Sequence, residues 1–306
     1  MKYAKPSLTF EQQADLLLER GLNADRDTLI TRIKEVNYYR LSAYWYTFRI
    51  PDNPDDRLRD DTTFDVIWNR YVFDRHLRLL IMDAIERVEI SVRTRLTETF
   101  TQKYGPMGYI KPEGFGPDFD VEDHGRLVGE IRRNARRSQE DFVKHFKWKY
   151  GDKDLPLWMA VEIMTFGNLF TMFRHMDLHM QREIANSYGL SAKVLESWLK
   201  TLNYVRNLCA HHSRLWNRTL GIKPLIPKPK HVPEWHDPEA IQNNKVYAVL
   251  SLLYYMLRRI APQSHWRSRL EELMSCYHDD VPIEYMGFPV NWAEYSIWAE
   301  PEGKKE

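Results

Sequence analysis

The sequence is poor in the features that mark secreted, membrane-bound and disulfide-rich proteins. Only two of its 306 residues are cysteines, so no disulfide framework is expected. No apolar run approaches the roughly 20 residues of a membrane-spanning helix. The first ten residues show neither the apolar core nor the cleavage site of a signal peptide. These absences predict a soluble, cytoplasmic protein with no membrane partner.

The motifs of common cofactor and nucleophile chemistry are absent as well. The chain holds no P-loop, no G-x-G-x-x-G, no G-x-S-x-G and no paired-cysteine motif. Its carboxylates do not gather into the pattern of a two-metal nuclease. His175 and His179 have a four-residue spacing that occurs in zinc sites, but no third ligand accompanies them. A solvated helix face explains them better, and we predict neither a metal nor a cofactor.

Helical patterns, in contrast, are abundant. Hydrophobic residues make up 43% of the chain and aromatic residues 13%, which is enough for a large core. Thr9 and Gln12 form the pattern of a capping box, and Gly21 ends the helix that they begin. From Thr63 to Lys103 an apolar stripe recurs at spacings of three and four, over a length at which a kink or break is expected. We therefore predict an all-α fold.

The patterns divide the chain into three parts. Residues 1–62 are predicted to be an N-terminal helical segment packed on the core. Residues 63–276 are the helical core, with an inserted loop and a basic helix at about 105–150, and within it Leu155 to Met176 is predicted to be one buried helix. Residues 277–306 are a C-terminal tail that wraps over the core or a partner.

Two local patterns within these parts allow a structural interpretation. Acidic residues precede arginines by four positions, the favoured order for helix ion pairs, and we assign these pairs mostly to a solvated face. The pairs are Asp74–Arg78, Asp83–Arg87 and Glu89–Arg93. Aromatic residues crowd the stretch at 37–48, and core packing is the preferred interpretation, with an RNA-stacking platform as the alternative. The aromatic residues assigned to the core are Tyr39, Tyr44, Trp45 and Phe48.

One amphipathic helix stands out between residues 195 and 216. Its apolar stripe recurs at spacings of three and four, and Ser191 is placed to cap its N-terminus. The stripe consists of Leu195, Trp198, Leu202, Val205 and Cys209. Asn203, Asn207 and His211 are four residues apart, so they stack on the side away from this stripe.

Arg206 differs from the other polar residues of this helix. It falls within about 40° of Leu202, inside the apolar arc, where a cation needs an anion or an interface. Arg206 and His211 are separated by roughly 140° around the same helix. A second copy of the helix, related by two-fold symmetry, could bring the two groups into one cleft.

Basic residues concentrate in two segments of a chain whose net charge is only +1. Residues 126–149 hold eight basic residues against three acidic ones, which suits a phosphate backbone and a solvated helix face equally well. Between Glu196 and Glu234 there is no acidic residue at all, so a positive field surrounds His211. Candidate RNA contacts from the two segments are Arg132, Arg133, Arg136, Arg137, Lys200, His212, Arg214 and Arg218.

The string from Arg206 to His211 reads R-N-x-x-x-H and resembles the R-x4-6-H signature of HEPN-superfamily ribonucleases. Four segments, the last of which contains this string, resemble in their order the AbiD/AbiF-type abortive-infection (Abi) family. They are NYYRLSAYW at 37–45, YVFDRHLRLLIMDAIERVEISVRTRL at 71–96, LWMAVEIMTFGNL at 157–169 and YVRNLCAHHSRLWNR at 204–218. This resemblance covers most of residues 1–220. It implies a bacterial phage-defence protein built on a HEPN-like helical bundle, with additional N-terminal and C-terminal helices and long loops.

The resemblance also implies site residues and partners. His211 would act as base or acid and Arg206 would bind the phosphate, with cleavage leaving a 2′,3′-cyclic phosphate and a 5′-hydroxyl. The residues themselves, apart from the resemblance, suggest that Asn207 orients His211 or contacts the phosphate, and that Glu162 and Asn203 support the site, Glu162 by pairing with Arg206. Two chains would each contribute one motif, so a homodimer is expected. The other expected partners are RNA, as target and as a regulatory small RNA, and an antitoxin.

Two other functions remain open at this level. The same basic segments could make the chain a non-catalytic module that grips a structured small RNA. Alternatively, the central helix could be the seam of a dimeric protein-interaction scaffold.

Overall fold

The computed structural model describes residues 6–299 and shows them to be all-α, as predicted. Within this range there are twelve α-helices and no β-strand, only three isolated bridges. The first six helices are α1 (Phe10–Glu19), α2 (Arg26–Val36), α3 (Tyr38–Trp45), α4 (Phe64–Tyr104), α5 (Val121–Arg137) and α6 (Asp141–Tyr150). The others are α7 (Leu157–Ala160), α8 (Phe166–His175), α9 (Leu178–Asn186), α10 (Ala192–Ala210), α11 (Val246–Ile260) and α12 (Trp266–Cys276). None of the helices in this range is both long and apolar enough to cross a membrane.

Helix α4 is the axis on which the other helices pack. It runs for 41 residues without the predicted break, and α3, α9, α10, α11 and α12 all lie against it. The predicted stripe is confirmed, because every member is fully buried: Leu77, Ile81, Ala84, Val88, Val92 and Leu96. Packing along the whole length stabilises a helix of this size, which local propensity alone does not.

The predicted ion pairs of α4 do not all lie on a solvated face, so this prediction is partly wrong. Asp74 and Arg78 are buried, with side-chain exposures of 0% and 7%. The Glu89–Arg93 pair is also largely covered, at 19% and 14%, whereas Asp83–Arg87 is more open, at 30% and 39%. The prediction fails because neighbours cover α4 on more sides than its apolar stripe, and spacing along one helix does not report them.

The segment at 155–176 is not the single buried helix that was predicted. Helix α7 is followed by a 3₁₀ turn at Val161–Ile163 and then by extended backbone at Met164. Thr165 begins a new helix, α8, through a capping box with Asn168. Because Ser/Thr side chains satisfy the free N–H groups of a first turn, Thr165 favours a helix start over a continuation.

The C-terminal tail, as far as residue 299, packs onto the core. The Trp298 ring stacks on Tyr254 of α11 with ring centroids 4.8 Å apart, and its Nε1 donates to Ser251 Oγ at 3.1 Å. Wrapping over the core is thus confirmed for the described part of the tail. The division of the chain at residues 62 and 276 stays a prediction.

Candidate functional site

Helix α10 buries one face and carries its C-terminal end to the surface. Ser191 caps it as predicted, its hydroxyl accepting from the Val194 N–H at 3.4 Å. The predicted stripe is confirmed as core, since all of its members are at most 5% exposed: Leu195, Trp198, Leu202, Val205 and Cys209. Because this stripe is anchored in the core, the residues that follow Cys209 leave the core at a fixed position.

The two histidines form the end of this helix. His211 is the C-cap, and its N–H donates to the Asn207 carbonyl at 3.0 Å. His212 follows with φ of 56°, a left-handed conformation in which glycine is the commonest residue. The N–H groups of His212 and Ser213 close the turn onto Cys209 and Leu208 at 3.0 and 2.9 Å. Both imidazoles are exposed as a result.

A buried carboxylate fixes the segment that follows. Asp74 Oδ1 accepts from the backbone N–H groups of Leu215 and Trp216 at 3.0 and 2.6 Å. Its Oδ2 accepts from the Tyr44 hydroxyl at 2.6 Å and from Arg78. Asp74 thus connects α3, α4 and the chain beyond α10. The sequence offered a signal for it, because Asp74 stands three and seven residues before Leu77 and Ile81, in step with the buried stripe.

An open cleft of about 470 Å³ lies where α3 meets the end of α10. We call it the α3–α10 cleft. It is lined by Tyr39, Arg40, Ser42, Ala43, Tyr44, Tyr46, His211, His212, Ser213, Arg214 and Arg218. Three arginines and two histidines are among these residues, and no described acidic residue is. Such a lining favours an anionic ligand.

Hydrogen bonds to backbone carbonyls hold the arginines of the cleft in place. Arg40 Nη1 donates to the His212 carbonyl at 2.6 Å, which joins α3 to the end of α10. Arg214 donates to the Ala43 carbonyl, and burial lowers the pKa of its guanidinium. Arg218 Nε donates to the Arg214 carbonyl at 2.6 Å. Arg40 is exposed and was not among the residues singled out from sequence.

The aromatic stretch of α3 is only partly core. Tyr44 and Trp45 are buried, at 2% and 1% exposure, as predicted. Tyr39 is 85% exposed, so its assignment to the core is wrong. The reason is helical geometry, since Tyr39 and Leu41 point roughly 200° apart and Leu41 faces the core. Tyr46, which also lines the cleft, is 65% exposed.

Arg206 lies in different surroundings from His211. It is partly exposed, its Nη1 lies 3.4 Å from Asn207 Oδ1, and it is close enough to Glu89 of α4 to act on that carboxyl. Burial raises the pKa of Glu89, and the charges of Arg93 and Arg206 oppose this shift. Within one chain, the guanidinium and the imidazole therefore do not share the α3–α10 cleft.

The two supporting residues are separated in the structure. Glu162 is 57% exposed and lies 3.8 Å from Arg93 Nη1. Its predicted pairing with Arg206 is therefore wrong, because α7 ends before Glu162 and the following 3₁₀ turn leaves it at the surface. Asn203 is half-buried near the first turn of α8, where a Cβ built at Gly167 would lie 3.9 Å from its Nδ2.

The predicted RNA contacts of α5 are not equivalent. Arg132 makes a two-pronged contact with Asp154, at 2.6 and 2.7 Å. This hydrogen bonding raises the pKa of Arg132, and the carboxylate neutralises its charge. Arg133, Arg136 and Arg137 are exposed and, within residues 6–299, form no ion pair, and Lys200 of α10 is likewise exposed. Phosphate binding by these residues stays a prediction.

The histidine pair that resembles a zinc spacing is split between two helices. His175 ends α8 and stacks on Phe119 with centroids 4.3 Å apart, whereas His179 is exposed on α9. In the described part of the chain, no three histidine, cysteine or acidic side chains are grouped to hold a metal.

Comparison with known proteins gives one result. The model of a family described as Abi-like protein matches residues 31–217, more than half of the chain. The match includes α3, α4 and α10, and with them most of the α3–α10 cleft. No curated protein and no solved structure matched the chain.

Proposed function

The chain belongs to the Abi-like protein family, whose proteins are associated with abortive infection, and from this premise we propose that it is an endoribonuclease. The proposed enzyme is of the HEPN type, needs no metal and acts in phage defence in the cytoplasm. Cleavage of RNA would arrest an infected cell, so a partner must restrain the enzyme in healthy cells. An antitoxin or a bound small RNA would serve that purpose.

The observation that carries this proposal is the position of His211. It is exposed at the end of a helix anchored in the core, and the cleft beside it has basic and aromatic walls. An imidazole transfers protons near neutral pH, and the surrounding cations favour a phosphodiester. Asn207 is one turn away and hydrogen-bonded through its carbonyl to the His211 N–H, which fixes the distance between them.

The proposed reaction is an internal transesterification. His211 takes the proton of the ribose 2′-hydroxyl, the 2′-oxygen attacks phosphorus, and the bond to the 5′-oxygen breaks. The protonated His211 then returns the proton, directly or through a water molecule, to the leaving oxygen, which becomes a 5′-hydroxyl. Arg206 holds the charge that builds on the phosphate, and the other product is a 2′,3′-cyclic phosphate.

The proposed site needs two chains. Arg206 and His211 lie in separate surroundings within one chain, so a phosphate that contacts both must lie between copies. A two-fold axis near the end of α10 would bring Arg206 of one copy opposite His211 of the other, and we propose a homodimer of this kind.

The test compares wild type with Arg206→Ala and His211→Ala. Purified protein is incubated with single-stranded RNA in EDTA, and the products are analysed for cyclic phosphate ends. We expect cleavage by wild type and a loss of at least about 100-fold in either variant. Arg182→Ala and His231→Ala are matched controls, because both side chains are exposed elsewhere on the surface.

Subunit mixing tests the shared site. When Arg206→Ala and His211→Ala chains are co-expressed, half of the dimers are mixed and one of their two sites is intact, so about a quarter of the activity should return. No recovery despite mixed dimers would place the whole site in one chain. RNA binding without cleavage in every variant would instead indicate a binding module, and a dimer without RNA affinity at low salt would indicate a scaffold.

A further inference from the structure

Two exposed aromatic rings line the α3–α10 cleft. Tyr39 and Tyr46 are 85% and 65% exposed, although Tyr44 and Trp45 between them are buried. The hydroxyls of Tyr39 and Tyr46 form no hydrogen bond within residues 6–299. Leaving such rings in water forgoes the free energy that burying apolar area supplies. Within residues 6–299 the Arg49 guanidinium lies 5.3 Å from the centre of the Tyr46 ring, but most of both rings stays exposed, so a ligand can stack on them.

The rings are placed among cations that the fold holds in position. Arg40 follows Tyr39 in sequence, is itself exposed, and is oriented by its 2.6 Å bond to the His212 carbonyl. Arg218 also lines the cleft, and its Nε donates to the Arg214 carbonyl at 2.6 Å. Both guanidinium groups keep further N–H donors for a ligand. At about 470 Å³, the cleft falls within the range of small-ligand sites, roughly 300–1,000 Å³.

We propose that the α3–α10 cleft is a subsite for one unpaired nucleotide of a single-stranded RNA. Its base stacks on Tyr39 or Tyr46, and its phosphate contacts Arg40 and Arg218. His211 borders the same cleft, so this nucleotide lies next to the one that is cut. The subsite rests on the proposed ribonuclease function for its meaning, but its binding chemistry can be tested without cleavage.

The lining argues for a single strand over a duplex. Both faces of a base are available for stacking only when the base is unpaired, and the bases of a duplex are already stacked on each other. Two rings and several fixed cations form a stacking platform beside a phosphate site, which is the arrangement that single-strand binders use. Every base has an aromatic face on which a tyrosine ring can stack, so this subsite should show little preference for one base over another.

The experiment measures binding to the His211→Ala protein, which cannot cleave under the proposed mechanism. A fluorescent single-stranded RNA is titrated with this protein and with versions that also carry Tyr39→Leu, Tyr39→Phe, Tyr46→Leu or Tyr46→Phe. The leucine variant of the ring on which the base stacks should bind about 5- to 150-fold more weakly, which is the loss of one stacked base. Each phenylalanine variant keeps the ring and should bind within about twofold of the parent. Thermal melting checks that all variants fold.

The controls separate this subsite from general charge attraction. A duplex RNA of the same length should be insensitive to the loss of either ring, because it offers no unpaired base. Arg40→Ala should weaken binding of both RNAs. It should also reduce the salt dependence of the binding constant by the contribution of about one phosphate contact.

Three results would overturn the subsite: equal binding by the leucine and phenylalanine variants, equal losses on duplex RNA, or no RNA binding by any version. If only a protein ligand bound in a ring-dependent way, the cleft would be a protein-binding site instead. If the rings matter for binding but wild type never cleaves RNA, the subsite stands and the ribonuclease proposal fails. The two proposals thus fail separately.

Discussion

Removal of the Asp74 carboxylate should weaken the fold far more than removal of a neighbouring carboxylate on the same helix. Asp74 is 0% exposed and accepts from Leu215, Trp216, Tyr44 and Arg78. In Asp74→Ala the guanidinium of Arg78 stays buried without its anion. Breaking a buried ion pair from one side costs about 3–5 kcal/mol, partly because the remaining charge is unpaired.

This loss is large compared with the total free energy of unfolding of a protein domain. Domains are stable by about 5–15 kcal/mol, so Asp74→Ala should remove a major fraction of the free energy of unfolding. Asp83→Ala is the matched control, because Asp83 also lies on α4 and also contacts two arginines, Arg87 and Arg269. Its partners are 39% and 53% exposed, so water screens them and the loss should stay below about 1 kcal/mol.

The assay is urea unfolding followed by circular dichroism, at one protein concentration for all variants because a dimer would make stability concentration-dependent. Asp74→Asn should be intermediate, since its carbonyl oxygen can still accept from Leu215 and Trp216 while its amide group cannot pair with Arg78. If Asp74→Ala and Asp83→Ala agree within about 0.5 kcal/mol, the buried carboxylate is not the connection that we describe.

Three further outcomes follow from burial and charge. Burial raises the pKa of the Cys209 thiol to about 12, whereas Cys276 is exposed. A thiol reagent at pH 8 should therefore label one cysteine in the native protein and two in denaturant. In the native Cys276→Ser protein it should label none. Burial and then the Asp74 charge raise the pKa of Tyr44. Above pH of about 10 the unfolded chain therefore loses this proton first, and stability should fall by up to about 1.4 kcal/mol per pH unit, less steeply in Tyr44→Phe. Replacing Arg136 and Arg137 by alanine should leave the melting temperature unchanged. It should reduce the slope of the logarithm of the RNA-binding constant against the logarithm of salt concentration by about 1.4, measured with single-stranded RNA. An unchanged slope would show that these two residues of α5 do not contact RNA.

Features set by neighbouring residues could be read from the sequence. Ser191 begins α10 where predicted, and the capping box of Thr9 with Gln12 begins α1. Both depend on side chains that satisfy N–H groups within the same turn, so a short window contains all the information. The buried stripe of α10 follows in the same way, because three- and four-residue spacings define one face of one helix.

Features set by distant residues could not be read in this way. The contact between Arg40 and the His212 carbonyl joins positions 172 residues apart. No periodicity reveals such a pair, which is one of the contacts that bring α3 to the end of α10. For the same reason, composition alone predicts Tyr39 to be a core residue, although it is 85% exposed.

The surroundings of Arg206 bear on whether this residue is structural or functional. A purely structural role would be to neutralise Glu89, but Arg93 already contacts that carboxylate at 2.7 Å and reaches Glu162 at 3.8 Å. Arg206 itself forms no ion pair within residues 6–299, and its hydrogen bond of 3.4 Å to Asn207 is long. A partly exposed guanidinium that forms no ion pair among the described residues is suited to an anion from outside. Under the proposed function, the phosphate of an RNA held between two copies of α10 would supply that anion.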